Sequence, residues 1–219
     1  MRRVENVLLD IDGTLLDSNE PHAQAWVEAL ARHEIAVPLS RMRLLIGMGG
    51  DKILRKLAPG MDPDKMKKIA AERDELFLEK HLQDVRLFPG VRELALALHT
   101  AGLRIILATS NKDKVLESFQ EMLGIDDYVY GVTTASDATE SKPSPDILLA
   151  GIRKFALDRN RTAMVGDTPY DIEAARKVPC PSIAVLAGGF PAQMLSLADE
   201  LYLDIQELTR CLHDSLLTK

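Results

Sequence analysis

Cysteine is almost missing from this sequence. Cys180 and Cys211 are its only two, too few for a disulfide framework and without the spacing of a metal-binding pair. Both read as ordinary thiols. Aromatic residues make up 5% of the chain and are nowhere interleaved with a Lys/Arg stripe. The formal net charge of -6 provides no basic field for collecting polyanions, so nucleic acid is not an expected partner. No stretch approaches the ~20 apolar residues of a membrane span. Arg2-Arg3 could open an export signal, but the acids Glu5 and Asp10 come before any apolar segment of the needed length develops. These absences point to a soluble, cytoplasmic protein with neither a membrane nor nucleic acid as partner. Oligomeric state leaves no mark in the sequence.

What is present is enough to fold. A chain of 219 residues with 46% apolar content can bury a full core, as one large domain or a domain with an insertion. Val7-Leu8-Leu9 is a short apolar run that stops at carboxylates and Gly13, as a buried parallel strand stops at its carboxyl end. Similar runs lie at 103–109, 129–133, 162–166 and 183–186, with a weaker one at 201–203. Helical faces separate them: Val91, Leu94, Ala95 and Leu98; Val115, Phe119, Met122 and Leu123; Leu148, Ile152 and Phe155. Strand–helix alternation of this kind predicts an α/β fold, a Rossmann-like doubly wound parallel sheet.

Residues 17–86 break the alternation and hold only helical periodicity. Ala23, Trp26, Val27 and Leu30 form one stripe; Ile53, Leu54 and Leu57 a second; Ile69, Leu76 and Phe77 a third. The segment opens at Asp17-Ser18-Asn19-Glu20-Pro21 and returns to the core at Leu87-Phe88-Pro89-Gly90. The expected organisation is a core of residues 1–16 and 87–219 with residues 17–86 inserted as an α-helical cap domain.

In doubly wound folds the ligand lies beyond the carboxyl ends of the strands. Four polar signals fall there: Asp10-Ile11-Asp12-Gly13-Thr14, Thr109-Ser110-Asn111, Ser141-Lys142-Pro143, and Gly166-Asp167-Thr168-Pro169-Tyr170-Asp171. Singly, each has a structural explanation as a turn, a helix cap or a solvated side chain. Jointly they converge on one rim. If their strands are neighbours, Asp10, Asp12, Asp167 and Asp171 lie close together and repel one another unless a cation is present. An all-oxygen set without His or Cys suits magnesium, Mg2+. A negatively charged protein must attract an anionic substrate locally, through such a cation or through aimed N–H groups.

Asp10-Ile11-Asp12-Gly13-Thr14-Leu15 resembles the first signature of haloacid dehalogenase superfamily phosphatases. Thr109, Lys142, and Gly166-Asp167 with Asp171 are similar to the other three, in order. The resemblance implies magnesium-dependent hydrolysis of a small phosphate ester through an aspartyl phosphate. Asp10 would be the nucleophile and Asp12 the acid and base, with the Asp12 main-chain carbonyl reaching the metal. Thr109 and the Ser110 N–H would bind phosphoryl oxygens, and Lys142 would balance charge. Asp167 would ligate the ion, and Asp171 would hold a metal-bound water or orient the ligands.

Within that family, Asp12 argues against a dehalogenase, since a departing halide needs no proton. Phosphonate hydrolysis would recruit a cap lysine, for which Lys52 is available, but the intact Asp10/Asp12 pair weighs against it. The stronger rival is a sugar-phosphate mutase, because the spacing of His22 and Trp26 resembles β-phosphoglucomutase. His22 is either a packed helix face or a group coupling substrate binding to closure. Thr14 resembles phosphatases, and Ile46 and Gly50 stand where β-phosphoglucomutases carry a basic pair. Gly47, Gly49 and Gly50, with Asp51 and Lys52 next in the chain, resemble the glycine-rich cap loop of phosphoglycolate phosphatases. They make either a tight helix–helix turn or a substrate contact. A phosphate-binding protein without turnover is the remaining alternative.

Overall fold

A computed structural model describes residues 3–219. The chain opens with β1 (Asn6–Leu9), buried at all 4 of its positions. After β2 (Leu16–Asp17) come four α-helices, α1 (Asn19–Arg32), α2 (Leu39–Arg43), α3 (Gly50–Leu57) and α4 (Pro63–Leu76), the last running on through a π-helical turn at Phe77–His81, before β3 (Arg86–Leu87). Regular alternation then takes over: α5 (Val91–Thr100), β4 (Arg104–Ala108), α6 (Asp113–Leu123), β5 (Val129–Thr133), α7 (Asp146–Lys154), β6 (Thr162–Gly166), α8 (Pro169–Lys177) and β7 (Ser182–Val185). The chain finishes through β8 (Glu200–Tyr202) and α9 (Ile205–Arg210).

Six strands form one parallel sheet in the order β5-β4-β1-β6-β7-β8. The apolar runs read as strands are those six. Alternation within each central strand feeds two layers. Val7, Leu9, Ile105, Leu107, Ala163 and Val165 enter one apolar cluster, while Leu8, Ile106, Ala108 and Met164 enter the cluster packed with α7 and α8. Truncating such a residue leaves a cavity that rigid neighbours cannot fill. Leu8→Ala is expected to lower unfolding stability by about 2–5 kcal/mol in urea titration; a change within ~0.5 kcal/mol would contradict the placement of Leu8 at a sealed interface.

The first cluster continues beyond the sheet into the helical segment, through Ala23, Trp26, Leu30, Ile53, Ile69 and Phe77. The two ends of that segment meet in a small antiparallel ribbon, with Leu16 opposite Leu87 and Asp17 opposite Arg86. Sequence periodicity did not reveal this ribbon, because two residues per strand are too few to display an alternation. Both cysteines are free, and burial pushes the Cys180 thiol up to about 12, where it is not a nucleophile. Among the described residues no helix is long and apolar enough to cross a membrane.

Candidate active site

Strand order determines which polar side chains meet. β1 lies between β4 and β6, so the residues just past these three strands converge at their carboxyl ends, where the direction of winding reverses. Asp10 follows β1, and its N–H donates to Val165 O of β6 at 2.9 Å. Thr109 follows β4, Asp167 follows β6, and Asp171 stands in the first turn of α8. There Thr168 and Asp171 form a reciprocal capping box with Pro169 at the start of the helix. The cap fixes one Asp171 oxygen, since Thr168 Oγ1 donates to Oδ2 at 2.7 Å.

Lys142 reaches this point from the loop after β5 and is 1% exposed, which a solvated side chain would not be. Its Nζ donates to an Asp10 oxygen and to Ala108 O at 3.1 Å, and lies 2.7 Å from Asp171 Oδ1. Burial disfavours its charge, but Asp10 and Asp171 outweigh that effect and its pKa is raised. One oxygen each from Asp10, Asp167 and Asp171 falls within 4.8 Å of the others. Three buried carboxylates thus face one ammonium.

The imbalance appears in their proton affinities. Burial first, then the charges of Asp171 and Asp12, raise Asp10 to about 8 against the pull of Lys142. Burial, with Asp10 and Asp171, likewise holds Asp167 well above the usual carboxylate range, despite hydrogen bonds from Asn19 and Thr14. A hard cation restores the balance and favours the ionised oxygens. The surroundings are built for ionised Asp167: Thr14 Oγ1 donates to Oδ1 at 3.1 Å and Asn19 Nδ2 to Oδ2 at 2.8 Å. Asn19 also bonds Gly188 O at 2.9 Å. A Cβ at Gly188 would overlap the Asp167 carboxylate, as would one at Gly13, so both positions need glycine's bare backbone. The all-oxygen set, its surplus negative charge and this cradle fit a divalent ion.

The Asp12 carboxylate is not in that group. It accepts hydrogen bonds from Ser18 Oγ at 2.6 Å and Asn111 Nδ2 at 2.5 Å, and pairs with His22 Nε2 at 2.8 Å. Burial alone would raise its pKa, but His22, Ser18 and Arg73 bring it below the usual value. Any approach of Asp12 to a metal is therefore left to its main-chain carbonyl. Thr109 Oγ1 accepts from Asn111 N at 3.0 Å, and the Ser110 hydroxyl is buried without a partner. Ser110, Asn111, Asp10 and Asp12 line one cleft with His22, Gly47 and Gly50.

His22 is buried and stacked on Phe77 at 3.9 Å between ring centroids. It packs a helix face, and its Nε2 touches Asp12. Gly47 and Gly49 face Thr168 and Ser141, and Gly50 faces Trp26, each with no room for a Cβ. Asp51 and Lys52 bond the loop that carries Lys142, to Ser141 Oγ at 2.6 Å and Glu140 at 3.0 Å. Asn111 stands within the polar run after β4 but had no role of its own assigned from sequence, and sequence reasoning passed over Asn19, Gly188 and Arg73. Only Arg73 had a legible signal, as a charge on the apolar face carrying Ile69 and Leu76.

Fold and site together define an α/β enzyme whose acidic centre, with one buried lysine, sits at the carboxyl ends of a doubly wound parallel sheet. Residues 7–185 match the family model described as haloacid dehalogenase-like hydrolase. The chain belongs to that family. A phosphoglycolate phosphatase of Vibrio vulnificus (strain YJ016) is 30% identical over 195 residues, covering 85% of this chain and 86% of the relative. A hydrolase from Pseudomonas syringae superposes with a TM-score of 0.89 at 25% identity, over 96% of this chain and 98% of that one. A β-phosphoglucomutase from Clostridium difficile shares the fold at a TM-score of 0.82 and 18% identity, over 94% and 93% of the two chains.

Proposed function

We propose that this enzyme hydrolyses a small phosphate monoester with magnesium, through a phosphoryl group carried on Asp10, and that 2-phosphoglycolate is a substrate. The observation that carries the reading is the buried contact of Lys142 with both Asp10 and Asp171, beside Asp167. The phosphoglycolate phosphatases among its relatives support the substrate. Relatives at 18% identity share the mutase fold without carrying its reaction to this chain.

Asp10, Asp167 and Asp171 would hold the ion, which when bound supplies positive charge to the phosphoryl oxygens and the nucleophile. The Asp10 carboxylate attacks phosphorus as the bond to the alcohol oxygen breaks. Lys142 stabilises the charge that spreads over the phosphoryl group, and Thr109 with Ser110 would bind its oxygens. Asp12 gives the departing oxygen a proton, then takes one from the water that attacks the aspartyl phosphate and releases inorganic phosphate. In the free site Asp12 is held ionised. A phosphate dianion beside it raises its proton affinity and readies it as the acid.

Residues 17–86 act as a helical cap over the core of residues 1–16 and 87–219, excluding water during transfer and opening for release. The reading requires neither nucleic acid nor a membrane and suits a cytoplasmic enzyme. Purified protein with magnesium is expected to release phosphate from p-nitrophenyl phosphate. Stripping the ion with a chelator should reduce the rate to background, and added magnesium should restore it. A rate indifferent to chelation, or no turnover with magnesium, would overturn the proposal.

A further inference from the structure

Arg73 occupies a core-facing position of α4, on the face that buries Ile69 and Leu76. Only 12% of its side chain is exposed. Packing does not explain a guanidinium there. Its carbon lies 4.8 Å from the centre of the Trp26 ring, which supports the plane without satisfying its donors. Nη1 stands 3.3 Å from His22 Nδ1. An arginine can only donate, so Nδ1 accepts and the imidazole proton sits on Nε2, facing Asp12.

The nearest carboxylate serves Arg73 only in part. Nη2 lies 3.3 Å from Asp74 Oδ1, while Lys112 claims Oδ2 of the same group at 2.8 Å. The Nε of Arg73 is shielded from solvent and has no hydrogen-bond partner. A buried donor left unpaired is costly, and a guanidinium more so than an amide. Arg73 is also the one lysine or arginine among the described residues lining the cleft that holds Asp10, Asp12, Ser110 and Asn111. The other charged groups there are acids. A phosphate ester seated with phosphorus against Asp10 extends its alcohol half into this cleft, where Asp10 and Asp12 are the acids and Arg73 is the cation of the lining open to a second negative charge.

We propose that Arg73 is the residue that reads the substrate, pairing with a carboxylate on the alcohol half of the phosphate ester and giving acidic leaving groups preference over neutral ones. The inference rests on the phosphatase reading above and adds the residue that sets its substrate class. A planar fork of donors with spare capacity matches a carboxylate in two places at once, which a lysine ammonium cannot do.

The test uses full-length enzyme with magnesium and compares kcat/KM for 2-phosphoglycolate and for ethyl phosphate. The second ester has the same carbon count and no carboxylate. Wild-type protein is expected to prefer 2-phosphoglycolate, and Arg73→Met should reduce that preference roughly 100-fold. Arg73→Lys, which keeps the charge and the stem, should lose an intermediate part of it and decides the matter if the methionine variant fails to fold. If Arg73 merely positioned His22, both esters would suffer alike; a ratio within about threefold of wild type in the folded variants therefore overturns the inference, as does a wild-type ratio near one. Wild-type protein inert toward both esters would overturn the phosphatase reading and this inference with it, whereas activity with an unchanged ratio overturns this inference alone.

Discussion

Asp10→Asn is expected to lower kcat for any phosphate monoester by about four orders of magnitude or more, because an amide cannot form the covalent intermediate. The loss should not come from unfolding. Asp10 is a buried acid whose charge is opposed by burial itself, and a neutral isostere removes that penalty. Lys142 keeps its contacts with Asp171 and Ala108 O. Thermal melts of the variant and the parent should therefore nearly coincide, while single-turnover kinetics separates them. Substantial residual turnover in folded Asp10→Asn protein would mean that another group attacks phosphorus.

Asp12→Asn should act differently, since its effect depends on what leaves. With an alkyl ester the departing alkoxide needs a proton, and the first step is expected to slow by about 10^2–10^4-fold. A nitrophenolate leaves without help, so the first step survives better while attack by water on the aspartyl phosphate still lacks its base. The phosphorylated enzyme then accumulates, and p-nitrophenyl phosphate should give a burst of product and then a slow steady state. The local geometry tolerates the change. Ser18 and His22 both contact Oδ1, which an asparagine oxygen can still accept, and only the Asn111 contact at Oδ2 meets another N–H donor. Equal rates for the variant and the parent on an alkyl ester would remove Asp12 from the acid–base role.

The strands were readable because parallel sheets covered on both faces require short, uninterrupted apolar runs, and Val7-Leu8-Leu9 is one. The rim could be located from those strands, since polar residues at strand exits have few purely structural reasons to accumulate. What sequence alone did not supply was adjacency. Asp10 meets Asp167 because β1 pairs with β6 rather than with an intervening strand, and order in a sheet is a property of the whole chain. The supporting contacts were hidden for a related reason. Asn19 reaches Asp167 and Gly188 across 148 and 169 residues, and no local pattern marks such a partner. Asp51 and Lys52, candidates for substrate contact beside a glycine-rich turn, each find a hydrogen-bond partner in Glu140-Ser141, a long-range link that no local pattern marks. Arg73 was overlooked because Ile69, Leu76 and Phe77 already accounted for the stripe around it.

The central claim is that Asp10 carries the phosphoryl group between the two half-reactions. It is tested most directly by quenching the magnesium-loaded enzyme in acid within its first turnover and mapping the phosphorylated peptide by mass spectrometry. The adduct should lie on the peptide containing Asp10 and disappear on treatment with hydroxylamine, which cleaves acyl phosphates. A phosphoryl group found on any other residue, or full single-turnover release of phosphate with no adduct at any quench time, would contradict it.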